Sequence, residues 1–219
     1  MNKTAIIVSG GTIEQDFALK QFEQLHPQII IGVDRGLEFL YQNQILPTHI
    51  VGDFDSVDAE VLECYRTNGQ IPIRQFDPVK DASDTEIAVR LAMELGTEEL
   101  WILGGTGTRM DHVWANVQTL KIPYDAGVRA YLLDKCNRIS LVEPQVTLTK
   151  EKAFGPFFSL FPLGEAVQGL TITGAKYPLE NHVLHPYGSL TVSNQFLEAE
   201  VHITFSEGVL ILMETRDNI

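Results

Sequence analysis

Carboxylates leave an apolar run two residues apart in Gly52-Asp53-Phe54-Asp55-Ser56, which follows His49-Ile50-Val51. If the chain stays extended there, Asp53 and Asp55 face one spot and Phe54 turns into the fold. Two like charges aimed at one spot need a compensator, and a hard divalent cation that shares its oxygen ligands with phosphates is the usual one. The same residue types also make ordinary turn and helix caps. A second acidic stretch, Lys80-Asp81-Ala82-Ser83-Asp84-Thr85-Glu86, brings Asp81 and Asp84. They could reach the same cation, while Ser83 and Glu86 have the spacing of a capping box that starts a helix. A third stretch, Gly104-Gly105-Thr106-Gly107-Thr108-Arg109-Met110-Asp111-His112, is glycine-rich but lacks the lysine of a phosphate-cradling P-loop and is not a dinucleotide fingerprint. Arg109, His112 and Asn116 are three and four apart, so they share one helix face, while Val113, Val117 and Leu120 form an apolar one. A helix opening this way suits phosphate recognition, because its free N–H groups point at the ligand. An ordinary solvated face is the alternative.

The elements that must position these residues alternate. Short apolar runs at Thr4–Val8, Ile29–Val33, Ile50–Val51, Ile71–Phe76, Leu100–Leu103 and Val128–Leu133 read as strands. Helical stripes separate them, the clearest being Ile87, Leu91 and Leu95 with Ala88 and Ala92. This pattern predicts an α/β fold, a mostly parallel sheet with helices on both faces, over residues 1–137. Ligands of such sheets bind beyond the carboxyl ends of the strands. There the chain places Ser9-Gly10-Gly11, Asp34-Arg35-Gly36 and the three stretches above. From residue 138 to 219 helical stripes give way to short β-rich runs between turn residues: Arg138–Val142, Val146–Thr149, Phe157–Leu160, Leu170–Thr173, Ser189–Val192, Val201–Phe205 and Val209–Met213. These predict a small all-β sandwich or barrel domain.

Composition narrows the partners. Sixteen Lys and Arg against twenty-nine Asp and Glu give a net charge of -13. Phosphate backbones are gripped by basic surface, so nucleic acid is not expected as a partner. A nucleotide carried by a bound cation remains compatible. No apolar run reaches membrane-spanning length. Cys64 and Cys136 match no ligand spacing and fit a reducing compartment, so a cytoplasmic protein without membrane attachment is expected.

Taken together, Gly-Asp-Phe-Asp-Ser, Lys-Asp-x-Ser-Asp-x-Glu and Gly-Gly-x-Gly-x-Arg-x-Asp-His-x-x-x-Asn resemble the thiamine pyrophosphokinase family in order and spacing over roughly residues 34 to 116. Lys176-Tyr177-Pro178-Leu179 and Ser193-Asn194 resemble its C-terminal signatures. The resemblance implies an N-terminal α/β domain that binds ATP and magnesium, and a C-terminal β domain that contributes to thiamine binding and dimerisation. It further implies a homodimer with the active site between subunits. The implied reaction moves a pyrophosphoryl group from ATP to the hydroxyethyl oxygen of thiamine and releases AMP. By the same resemblance Asp53, Asp55 and Asp84 are the expected Mg2+ ligands. Asp81, Arg109 and Asp111 complete the catalytic set. Asp34, Gly105, Thr106, Arg109, His112 and Asn116 would contact the nucleotide, and Ser193 and Asn194 the thiamine. Phe196 and Tyr187 are candidates for an aromatic that stacks on thiamine. Arg35 stands where many members of the family carry glycine, and its role is open. Two rivals remain at this level: a nucleotide-sugar glycosyltransferase using Asp53-Phe54-Asp55 as its metal motif, and a dimeric ligand-binding module without turnover.

Overall fold

The computed structural model describes residues 3–69, 71–75 and 81–217, apart from the Asn68 side chain. Lys80 and the end of the fourth predicted strand, Phe76, lie outside them. The chain divides into two compact units, Met1–Lys135 and Cys136–Ile219.

In the first unit β1 (Thr4–Val8), β2 (Ile29–Val33), β3 (His49–Gly52), β4 (Ile73–Gln75), β5 (Glu99–Leu103) and β6 (Arg129–Leu133) alternate with helices. These are α1 (Gln15–Leu25), α2 (Gly36–Gln42), α3 (Ala59–Asn68), α4 (Asp84–Glu94) and α5 (Met110–Thr119). A further short helix, α6 (Lys121–Asp125), follows α5 directly; no apolar stripe marks it in the sequence. The strands run in the order β6-β5-β1-β2-β3-β4, all parallel. Every β1 residue is buried, as expected for a central parallel strand covered on both faces. Right-handed crossovers put α1, α2 and α3 on one face, because β1 to β4 advance in one direction. The chain then steps back to β5 and on to β6, which puts α4, α5 and α6 on the other face. The packing of α2 on α3, and of α4 on α5 and α6, agrees with that division. Strand order reverses between β1 and β5, so the carboxyl ends of these two strands open the crevice in which such sheets bind ligands.

The second unit is two antiparallel sheets. One runs β12-β9-β14-β7, built from β7 (Asn137–Val142), β9 (Phe157–Pro162), β12 (Asn194–Gln195) and β14 (Leu210–Thr215). The other runs β11-β10-β13-β8, from β8 (Gln145–Thr149), β10 (Val167–Thr173), β11 (Leu179–Leu184) and β13 (Glu200–Thr204). Phe158, Leu160, Leu210 and Leu212 of the first sheet pack with Leu170, Ile172, Val201 and Ile203 of the second. This is the inward alternation of a sandwich. One sequence expectation fails here, and β11 and β12 were not expected. Ser189–Val192 is not a strand but turn and irregular chain, in which the Thr191 hydroxyl donates to the Leu160 carbonyl at 2.5 Å. The strand instead is β11, whose Leu179-Glu180-Asn181-His182-Val183-Leu184 is too polar to announce itself. Its irregular register against β10 and the left-handed Asn181 (φ 47°) explain the missing alternation.

Candidate active site

The two glycine stretches at the β1 and β5 ends are stitched together. Ser9 N–H donates to Leu103 O, Gly11 N–H to Gly104 O and Thr12 N–H to Thr106 O, each at 2.8 Å. The backbones approach so closely that a Cβ on Gly11 would lie 2.2 Å from Thr106 O, and one on Gly104 2.2 Å from Ser9 O. Gly104 is also left-handed, at φ 67°. Glycine is required at both points for space, and at the second for conformation as well. The Ser9 hydroxyl, buried, meets the Thr85 hydroxyl at 2.9 Å and so ties the β1 end to the start of α4.

Above these loops lies a cavity of about 540 Å3. Of the residues expected at the site, Asp34, Asp53, Asp84, Gly105, Thr106, Arg109, His112 and Asn116 line it. Arg35, whose role was open, lines it too, as do Ser9, Ser56 and Thr85, which were not assigned to the site. Asp55, Asp81 and Asp111 are not on its wall. Asp81 borders a neighbouring hollow with Glu86 and Arg90. Asn116, on the cavity wall, also serves the loop itself. It is buried, and its Nδ2 donates to the Gly105 carbonyl at 2.8 Å, so it holds the glycine loop in shape.

The central motif is not extended. β3 stops at Gly52, and Phe54 takes a left-handed conformation (φ 64°) that leaves its ring buried. Asp53 Oδ1 accepts the Asp55 N–H at 3.1 Å, an Asx turn. The expected alternation of Asp53 and Asp55 on one side therefore does not apply, and Asp55 lies exposed. Among the described residues no group of three or more His, Cys, Asp and Glu is placed to hold a metal ion. What the cavity wall does offer is three half-buried carboxylates, Asp34, Asp53 and Asp84. One or two of them would fit magnesium, which takes that many carboxylates plus substrate phosphates and keeps several waters.

Asp84 is the first residue of α4, and Ser83 caps the helix by accepting the Glu86 N–H at 3.2 Å. The Glu86 carboxylate itself is held by Arg90, at 3.0 and 2.7 Å. Arg109, also on the wall, precedes α5 and turns its fork onto Asp111, with Nε to Oδ1 at 3.2 Å and Nη2 to Oδ2 at 2.6 Å. The His112 N–H also donates to Asp111, at 2.9 Å. The bond from Arg109 holds the Asp111 carboxyl below its ordinary value, with help from the His112 N–H, and the same bond raises Arg109. Both side chains are solvent-exposed. Water screens such a pair, so phosphate oxygens can replace the carboxylate on the fork at little cost.

In the second unit Ser193 is exposed and left-handed (φ 55°), and its N–H donates to the Ser159 hydroxyl at 2.9 Å. Asn194 is buried, and its side chain is occupied by backbone. Its Oδ1 accepts from Tyr177 N–H at 3.0 Å and Gln195 N–H at 2.9 Å, and its Nδ2 donates to Tyr177 O at 2.8 Å. Asn194 thus fixes Tyr177, whose side chain is exposed with Lys176 Nζ 5.4 Å from its ring centre. Of the two aromatic candidates, Phe196 packs edge-on against the core residue Phe158. Tyr187 is exposed and stacks on His185. Tyr177 was missed as an aromatic candidate, although it sits within a motif already singled out.

A family model described as "Thiamin pyrophosphokinase, catalytic domain" matches residues 22–132. A second, "Thiamin pyrophosphokinase, vitamin B1 binding domain", matches residues 144–210. The chain is 31% identical over 216 residues to a thiamine pyrophosphokinase of Bacillus subtilis, covering 98% of this chain and all of the relative. The crystal structure of thiamine pyrophosphokinase from Bacillus subtilis superposes with a TM-score of 0.86 at 29% identity, over 98% of this chain and 100% of that one. The enzyme from Geobacillus thermodenitrificans gives 0.82 at 28%, over 98% of both chains. Yeast thiamin pyrophosphokinase shares the fold, with a TM-score of 0.82 at 15% identity, over 98% of this chain and 87% of that one.

Proposed function

Because the chain belongs to the thiamin pyrophosphokinase family, we propose that the cavity at the β1–β5 reversal binds Mg2+–ATP and passes its terminal pyrophosphoryl group to thiamine. The observation that carries this reading is that Asp53, Asp84 and Arg109, which start from three different strand ends, line one cavity over the interlocked glycine loops. The thiamine hydroxyl oxygen bonds to the β-phosphorus. The bond from that phosphorus to the α–β bridging oxygen breaks, AMP leaves with that oxygen, and the hydroxyl proton is lost to a base. Magnesium, when bound, supplies charge neutralisation on the phosphates. Asp53 and Asp84 are the residues that would hold it, with Asp55 on the same turn as Asp53.

The protein's own groups do the positioning. Arg109 offers its fork to phosphate oxygens once Asp111 is displaced, and that displacement also frees the His112 N–H at the start of α5. The Gly105-Thr106 backbone, held by Asn116, supports the ligand from below. We assign thiamine recognition to the second unit, through Ser193 and the Tyr177 ring that Asn194 holds. We also propose that the chain acts as a homodimer, each site completed by the partner copy, and that it works in the cytoplasm, where Cys64 and Cys136 stay reduced. Neither the glycosyltransferase nor the non-catalytic reading accounts for a family match across both units.

The test is direct. Purified protein with ATP, magnesium and thiamine should yield AMP and thiamine diphosphate in equal amounts. ADP as the nucleotide product, or UDP released from a sugar donor instead, would overturn the proposal.

A further inference from the structure

Asp34 ends β2, the strand beside β1, and its conformation is unusual. Its backbone is left-handed, at φ 44°. The turn is kept by its own backbone bonds: Asp34 N–H donates to Val51 O at 3.3 Å, and Asp34 O accepts from Leu37 N–H at 2.9 Å as α2 begins. The carboxylate is laid against Gly52, where a Cβ would lie 2.0 Å from Asp34 Oδ1. The glycine of the central motif therefore makes room for the Asp34 carboxylate, which lines the cavity. A side chain held in a sparsely populated backbone conformation beside a ligand cavity is a common mark of function.

Its place in the sheet says which function. In open α/β sheets that bind nucleotides at the strand-order reversal, an acid at the end of the second strand, about 20 residues past the first glycine turn, takes the ribose hydroxyls. Asp34 follows Gly11 by 23 residues and occupies that strand end. The rest of that arrangement is not reproduced. The α1 N-terminus, where a dinucleotide would seat its pyrophosphate, is filled by Glu14, whose Oε2 accepts the Phe17 N–H at 2.7 Å. That moves the phosphates toward Asp53, Asp84 and Arg109 and leaves the β2 end to the sugar. On the reading above Asp53 and Asp84 would hold magnesium, which takes one or two carboxylates. An ionised carboxylate has only acceptors, which suits two vicinal hydroxyl donors.

We infer that Asp34 receives the 2′- and 3′-hydroxyls of the nucleotide and makes the site selective for ribonucleoside over deoxyribonucleoside triphosphates. This rests on the nucleotide-binding part of the reading above. Asp34→Gly and Asp34→Asn both tolerate the left-handed backbone, so both should fold. For wild type, binding of ATP, 2′-deoxy-ATP and 3′-deoxy-ATP with magnesium is measured by calorimetry without thiamine, and kcat/KM for each with thiamine. Wild type should favour ATP by ~10- to 100-fold, the worth of a hydrogen bond to a charged group. Asp34→Gly should bring the three nucleotides within threefold of one another, with Asp34→Asn intermediate. Equal binding of the three by wild type, or a loss in the variants that leaves the ratios intact, would overturn the inference and mark Asp34 as a phosphate- or metal-side residue. Calorimetry reads these ratios even if no thiamine diphosphate forms, so failure of the pyrophosphokinase proposal shows up separately.

Discussion

Asp84 and Asp111 show how differently two carboxylates near one cavity can act. Asp84 opens α4 and lines the cavity. Asp84→Asn keeps shape and helix start but removes the charge proposed to hold magnesium, and it should fold normally while losing ~10²-fold or more in turnover, about 2.7 kcal/mol. A rate within threefold of wild type would leave Asp84 as a helix-start residue. Asp111 is bound by Arg109 and by the His112 N–H, and its carboxyl is held below its ordinary value. A depressed folded-state value means that the pair's contribution is fully present above the ordinary carboxylate range and is lost as pH falls through the depressed value. Between pH 6 and 8 Asp111 should therefore not titrate, and nucleotide affinity should show no step from it. An NMR titration that places its carboxyl at or above 3.9, the ordinary aspartate value, would remove the grip of Arg109 from the picture.

At the level of elements, the site depends on the contact between the ends of β1 and β5. Gly104 and Gly96 separate the two reasons for glycine. Both are left-handed, at φ 67° and 74°. A Cβ on Gly96 would meet nothing within 4 Å, whereas one on Gly104 would strike the Ser9 carbonyl oxygen at 2.2 Å. Gly96→Ala should cost only the left-handed penalty, roughly 1–2 kcal/mol. Gly104→Ala should cost clearly more, because backbone must move, and it should also weaken ATP binding by opening the ladder from Ser9 to Thr12. Thermal melts with paired ATP titrations check this, and equal losses for the two variants would show that the loops yield without strain. Asn194 is the corresponding element-level device in the second unit: one buried amide replaces a stretch of β-ladder in holding Tyr177.

For the whole molecule, the open question is how many chains make one site. If each site takes its thiamine contacts from the partner copy, two differently disabled variants should rescue each other. Asp84→Asn removes a charge on the cavity wall, and Tyr177→Ala an exposed ring, so neither should disturb folding. Random exchange makes half of the dimers mixed, each with one doubly damaged and one intact site, so activity should return to about a quarter of wild type. No recovery, with exchange verified by mass spectrometry, would place the whole site within one chain.

Local patterns carried much of this protein. The strand–helix alternation up to β6, the change to short strands near residue 138 and the acidic and glycine-rich strand ends all depend on neighbours in sequence, and all were legible there. So was the family resemblance, because its motifs are contiguous. What local pattern could not reveal was which distant groups meet. Ser9 and Thr85 touch across 76 positions because strand order brings β1 beside the start of α4. Gly52 reads as a strand-end turn until Asp34 is seen resting on it. Phe54 is left-handed with its ring buried, so the central motif leaves the extended form, and no neighbour in sequence announces that turn. Sequence offers Asn194 as a ligand contact; only the structure shows it buried on β12, beside β9, with its amide bonded to the Tyr177 and Gln195 backbone, as a buried amide must be. Sequence alone determined the chemistry available at each strand end. Tertiary structure decided which of those groups face the cavity, because strand order and burial are settled by the whole core at once.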